Sequence, residues 1–296
     1  MPEGPEIKYT SLLLNKRIKG FEIKNINSYT AKPIVIPKNF NNYVEEVDCY
    51  GKLFWIKTPS HYIDIHYGIS GWFQFEKPEK NIKYDFEFIN KKNGKIINLY
   101  MEDRRRFSKI QIHTEKEHNL LVDKLGVDIL DPNKFTLEYF LQTIKSKKSL
   151  LLPTLLKQEY FAGLGNYIKN EAVYLSHIDV YSKTNELTDA EITKLYKNIL
   201  FVSYSSLMTL LTEVGITNIN NINNINNITN INNINNINNI TNINNITNIN
   251  NINKGTQYPK LEIPYKYRIY GQTKTSDNKK VYKKKIGGRD TYLLTP

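Results

Sequence analysis

Short runs rich in β-branched and aromatic residues alternate with polar positions through the first part of the chain. Phe21–Ile26, Phe54–Lys57, Tyr62–Tyr67, Trp72–Phe75, Tyr84–Ile89, Ile96–Tyr100 and Ile110–His113 each read as a strand. Turn signals such as Lys92-Asn93-Gly94 separate them. A helix near Pro5–Asn15 precedes them, and so many short strands predict a sandwich or barrel-like sheet domain. From about Leu120 to Leu211 the spacing becomes helical. Phe135, Tyr139, Phe140 and Ile144 recur at helical intervals, as do Ile192, Leu195, Tyr196 and Ile199. Thr188 and Glu191 form a capping-box pattern, and Phe161-Ala162-Gly163-Leu164-Gly165-Asn166 is a glycine-containing turn among these helices.

Isoleucine then falls at every third position from Ile216 to Ile252, with Asn and occasional Thr between. A step of three matches neither helix nor strand, and the units are far shorter than those of known stacked repeats. The tract is expected to be a disordered insertion without function of its own. The last segment has strand-like pieces around Tyr265–Tyr270, Lys279–Lys285 and Asp290–Leu294, with a Gly287-Gly288 turn. The expected class is α+β, divided into a sheet domain (1–118), a helical domain (119–214), the Ile/Asn insertion (215–253) and a basic hairpin (254–296).

Composition narrows the partners. The chain of 296 residues has a net charge of +12 and a pI of about 9.4. From Lys254 onward there are 11 Lys/Arg against 3 Asp/Glu, so +8 sits in that segment. An anionic partner is expected, nucleic acid first. No run of about 18 apolar residues exists, so no membrane span is expected. The first residues lack a secretory pattern, and Cys49 is the one cysteine. Both point to an intracellular protein without internal disulfides.

The opening Met1-Pro2-Glu3-Gly4-Pro5-Glu6 carries candidate chemistry. Trimming of Met1 would leave the secondary amine of Pro2 as a free end, and an α-amino group is far less basic than lysine. Such an amine attacks an aldehyde-like carbon to give a Schiff base, with Glu3 and Glu6 near enough in sequence to move protons. Taken alone, the same residues read as a plain helix start.

Four further motifs accompany it in order: Gly51-Lys52-Leu53, Tyr67-Gly68-Ile69-Ser70-Gly71, Gly163-Leu164-Gly165-Asn166 and Gly287-Gly288-Arg289-Asp290-Thr291-Tyr292. As an ordered set they resemble the formamidopyrimidine-DNA glycosylase/endonuclease VIII family over nearly the whole chain. The resemblance implies a two-layered β-sandwich, a helix–two-turns–helix domain, a hairpin finger, and damaged DNA as partner. It implies a bifunctional glycosylase and AP lyase in which Pro2 attacks C1′, Glu3 protonates the sugar ring oxygen, Glu6 positions or relays protons near Pro2, and β- then δ-elimination follows. Lys52 would hold a phosphate beside the lesion and assist elimination. Asn166, with the backbone of Gly163 and Gly165, would grip phosphate, and Arg289 would bind phosphates from the finger. Ile69 is similar to the family's gap-filling residue, and Arg105 and Phe107 to its opposite-strand pair.

Many members of that family hold the finger with four zinc-binding cysteines. Here no Cys or His follows Lys254, so a zinc site is excluded there and the finger resembles the zincless form of the Nei-like branch. Gly4 also leans to that branch, which implies a preference for oxidised pyrimidines such as thymine glycol and dihydrouracil. The expected protein is a monomer needing no metal or cofactor and acting on double- or single-stranded DNA. The rival expectation is a damaged-DNA-binding protein of the same fold without catalysis.

Overall fold

A computed structural model describes residues 2–213 and 262–295. The Ile/Asn tract and its expected disorder lie outside the described residues. The chain forms two compact units, Met1–Asp128 with Lys157–Gly165, and Ile129–Leu156 with Asn166–Pro296.

The first unit opens with helix α1, Gly4–Ile18. Pro5 lies in its first turn, where a missing N–H costs nothing, and Glu6 accepts the orphan N–H of Glu3 at 2.8 Å. Eight antiparallel strands follow: β1 Glu22–Ser28, β2 Glu46–Tyr50, β3 Leu53–Lys57, β4 Tyr62–His66, β5 Gly71–Gln74, β6 Ile82–Ile89, β7 Ile96–Asp103 and β8 Lys109–His113. They make two four-stranded sheets, ordered β1-β6-β7-β5 and β2-β3-β4-β8. Alternate residues point inward, as the period of two requires. Phe54, Ile56, Ile63 and Ile65 of one sheet share a core with Phe86, Phe88, Leu99 and Met101 of the other and with Ile7, Leu14 and Ile18 of α1. The rings of Phe54 and Phe73 meet across the layers at 6.0 Å. The expected sandwich is therefore present.

Strand β2 has no counterpart among the sequence-based expectations. Glu46-Val47-Asp48-Cys49-Tyr50 carries two acidic residues, which strands disfavour. It forms because Val47 and Cys49 pair with Ile56 and Phe54 on the buried face. Helix α2, Glu115–Val122, starts with a Thr114–Glu117 capping box. Strands β9, Val127–Asp128, and β10, Phe161–Ala162, pair in parallel and place the 163–165 turn in this unit.

The second unit contains α3 Leu137–Lys145, α4 Leu151–Leu155, α5 Asn166–Ser176 and α6 Asp189–Glu213. Phe135, Phe140, Ile144, Ile192, Leu195, Tyr196 and Ile199 are buried, as their spacing predicts. The expected Thr188–Glu191 box forms, with Thr188 N donating to Glu191 at 2.8 Å and Glu191 N to Thr188 Oγ1 at 3.3 Å. Strands β11 Val281–Ile286 and β12 Arg289–Leu294 make the C-terminal hairpin.

Tyr265–Tyr270 is not a strand, contrary to its aromatic alternation. Its backbone N–H groups serve a side chain instead. Arg268 N and Ile269 N donate to Glu171 at 2.8 and 2.9 Å, and Tyr270 N does so at 2.7 Å. The tyrosines pack edge to face, Tyr265 on Tyr267 at 5.8 Å and Tyr267 on Tyr270 at 5.7 Å.

Candidate functional site

Three distant stretches of sequence converge within the first unit. Glu3, just ahead of α1, is 1% exposed, with half-buried Pro2 immediately before it. Gly4 N donates to Gly163 O at 2.9 Å, which ties the start of α1 to the 163–165 turn. Gly165 lies flat on the Glu3 carboxyl group: a β-carbon there would fall 2.1 Å from Glu3 Cδ and 2.4 Å from Oε1. The glycine thus provides close backbone approach.

The hairpin turn between β2 and β3 supplies Lys52. Its Nζ donates to Leu164 O at 2.8 Å, so an ammonium sits on the same turn that covers Glu3. Gly51 N donates to Asp128 Oδ2 at 2.8 Å, which fixes the hairpin against β9. Gln158 closes the arrangement. Its amide donates to Leu164 O at 2.8 Å and accepts from Gly163 N at 3.1 Å. A buried carboxyl group, which directly follows Pro2, and an ammonium are thereby gathered on one hydrogen-bonded turn. Such a set suits proton transfer beside an amine nucleophile.

Ile69, Arg105 and Phe107 also belong to this unit. Ile69 sits half-buried in the turn after β4, and Phe107 is 55% exposed in the loop after β7, so Phe107 is not a core residue. The three successive arginines differ. Arg104 pairs with Glu102 at 3.3 Å, and Arg106, at φ +56°, reaches the carbonyl of Tyr29. The Arg105 guanidinium is exposed and makes no hydrogen bond or ion pair among the described residues.

In the second unit, Asn166 opens α5 and holds the hairpin. Its amide donates to Asp290 O at 3.0 Å and accepts from the fully buried Lys169 at 2.9 Å. Asn170 accepts from Tyr292 N at 3.0 Å. These bonds fasten the residues directly after Arg289, whose own side chain is exposed at the start of β12. The hairpin stands on this polar seam, with no Cys or His between Glu262 and Thr295.

Some members of these arrangements were not apparent from the sequence. The side chains of Gln158 and Asp128 bind backbone atoms of other residues and carry no motif. His66 ends β4 opposite Leu53 and Lys109, and its ring accepts from Gly68 N at 3.0 Å. Loss of solvation, then the cations Lys52 and Lys109, hold its pKa below the usual histidine value. Its adjacency to the Tyr67-Gly68 motif was the one available signal. Cys49 is buried, and burial pushes its thiol up to about 12. Among the described residues no group of three His, Cys, Asp or Glu side chains is placed to hold a metal ion, and no helix is long and apolar enough to cross a membrane.

A helix-led two-sheet sandwich, a helical domain and a C-terminal hairpin define the architecture of a DNA glycosylase class. Residues 1–110 match the model of the formamidopyrimidine-DNA glycosylase N-terminal domain, and residues 125–212 that of its H2TH domain. The chain belongs to the formamidopyrimidine-DNA glycosylase (Fpg/Nei) family, with a finger that lacks zinc ligands. It is 27% identical over 205 residues to the formamidopyrimidine-DNA glycosylase of Aliivibrio fischeri, covering 67% of this chain and 74% of that one. Its fold is similar to that of a point mutant of Lactococcus lactis Fpg in complex with DNA containing Fapy-dG, with a TM-score of 0.71 at 19% identity, covering 99% of this chain and 98% of that one. It is equally similar to the wild-type Lactococcus lactis protein in complex with oxidised-pyrimidine DNA, with a TM-score of 0.71 at 18% identity and coverage of 99% and 98%.

Proposed function

We propose that this chain is a DNA glycosylase and AP lyase of base excision repair that removes oxidised bases, pyrimidines foremost. Family membership supports the activity. The observation that carries the finer reading is the meeting of buried Glu3, the residue directly after Pro2, and Lys52 on the 163–165 turn.

In this reading Met1 is removed and the Pro2 nitrogen attacks C1′ of an extruded nucleotide, because C1′ is inaccessible in the stack. The new N–C1′ bond replaces the bond to the base, which leaves with a proton. Glu3 delivers a proton to the ring oxygen as the sugar opens to an iminium. The positive nitrogen acidifies C2′. Loss of that proton expels the 3′ phosphate, and a second elimination expels the 5′ phosphate. Glu6, which holds Glu3 through its backbone, keeps the start of α1 in place. Lys52 and Arg289 bind the phosphates flanking the lesion, Arg289 through two donors at once. Asn166, with the Gly163–Gly165 backbone, completes the phosphate contacts. Ile69 and Phe107 fill the space the nucleotide leaves, and Arg105 faces the orphaned base.

Borohydride reduction during reaction with abasic and thymine-glycol duplexes tests this. A covalent adduct mapped by mass spectrometry to Pro2 supports the assignment. An adduct on another residue, or full cleavage by protein that retains Met1, overturns it.

A further inference from the structure

Asp103 ends β7 and is fully buried, yet its carboxylate touches neither the Glu3–Lys52 cluster nor solvent. It binds two loops. Oδ1 accepts from Ser70 Oγ at 2.5 Å and from Arg105 N at 3.2 Å, and Oδ2 accepts from Ser108 N at 2.7 Å. Ser70 Oγ in turn accepts from Arg105 N at 2.9 Å. Lys83, buried in β6, lies 3.9 Å from Asp103 and donates to the carbonyls of Arg106 and Ser108. The turn at 68–70 and the loop at 104–108 are thus bolted together by one carboxylate and one ammonium. They also abut directly: a β-carbon on Gly68, at φ +66°, would fall 2.7 Å from the Phe107 carbonyl carbon.

Apolar packing would hold such loops without burying charge, and buried ion pairs are weak contributors to stability. What the pair adds is direction: it fixes the backbone at Arg105, Arg106 and Ser108, on either side of Phe107, and holds Ser70, the residue after Ile69, by its hydroxyl. Invading a base stack requires apolar side chains already in place, because loops ordered during binding lower affinity.

We propose that Asp103, with Ser70 and Lys83, forms a clasp of positioning residues that makes this protein competent on duplex DNA. It presents Ile69 and Phe107 to the stack as one rigid wedge. The inference rests on the glycosylase reading. A single strand offers no paired stack to invade, so the clasp matters little there.

The test compares Asp103→Asn and the milder Ser70→Ala with the wild-type full chain. Each acts on an abasic site in a duplex and in a single strand of the same sequence. A 2-aminopurine next to the site reports unstacking, and thermal unfolding is recorded in parallel. The expected result is a fall of roughly tenfold in the duplex-to-single-strand activity ratio, with a weaker 2-aminopurine signal on the duplex. Equal losses on both substrates, or an unchanged ratio and signal in folded Ser70→Ala, overturn the proposal. If the wild type cleaves neither substrate, the glycosylase reading fails, and the 2-aminopurine signal of the bound duplex still decides the clasp.

Discussion

Gly165 lies so close to Glu3 that its Cα hydrogen occupies the only space a side chain could take, with a β-carbon placed 2.1 Å from Glu3 Cδ. The colliding atoms are the far end of a flexible side chain, so Gly165→Ala is relieved by moving the Glu3 carboxyl group rather than by unfolding. We expect excision from a thymine-glycol duplex to fall by roughly 100-fold or more, the scale of a lost general acid. The unfolding midpoint should change little. Single-turnover excision and thermal unfolding of the same preparation check this, and wild-type rates would remove Glu3 from the mechanism.

Lys52 joins the same turn through Leu164 O. Replacing it with Gln keeps a donor for that carbonyl but removes the charge. Strand scission should slow by about 10²–10⁴-fold, and the slope of log affinity against log salt should shrink by about one phosphate contact. Filter binding across salt concentrations, set beside cleavage rates, separates these effects. An unaltered salt slope would place Lys52 away from DNA.

Glu171 is the hidden anchor of the second unit. It is fully buried and collects the N–H groups of Arg268, Ile269 and Tyr270 and the hydroxyl of Tyr265, the last at 2.7 Å. Burial, then the Glu171 charge, pushes the Tyr265 phenol up, so it remains a donor. Glu171→Gln has one acceptor oxygen where the carboxylate has two, and should cost about 2–3 kcal/mol. Urea unfolding measures it; a change under about 0.5 kcal/mol would mean the segment is held by tyrosine packing alone.

The cysteine offers a direct probe of the sandwich. Burial is the main cause of the raised Cys49 pKa of about 12, with Asp48 adding to it and Lys8 opposing. The thiolate is the reactive form, so native protein at pH 8 should resist iodoacetamide and alkylate fully in denaturant. Mass spectrometry reads the outcome. Rapid native alkylation would show that β2 opens readily.

Much of this architecture is legible in the sequence, because period-two runs and helical stripes reflect burial directly. The failures share a cause. Strand β2 is hidden by Glu46 and Asp48, which alternate half-buried with the core residues Val47 and Cys49, Asp48 pairing with Lys8 of α1. Tyr265–Tyr270 alternates like a strand, but a carboxylate far away in sequence takes its N–H groups. The candidate site divides the same way. Pro2, Glu3, Lys52, Asn166 and Arg289 stand in recognisable motifs. Gln158, Asp128 and Asp103 work on backbone atoms, and nothing in their neighbours' identities announces that. Among Arg104, Arg105 and Arg106, only the fold shows which guanidinium is unengaged.

Asp103 also sets a pH dependence. Burial alone would raise its pKa, but the hydrogen bonds from Ser70 and Ser108, with Lys83 nearby, outweigh it and hold the carboxyl group below its ordinary value. A group whose folded pKa is depressed binds its proton more readily when unfolded, so stability rises with pH across that interval. Its contribution is complete above the unfolded carboxylate value, about 3.9, and disappears as pH falls through the folded value. Unfolding free energy should therefore drop on acidification below about pH 4 more steeply in wild type than in Asp103→Asn. Urea titrations of both proteins between neutral and acid pH measure the difference. Parallel curves would mean that Asp103 titrates alike in both states and that its hydrogen bonds do not favour the charged form.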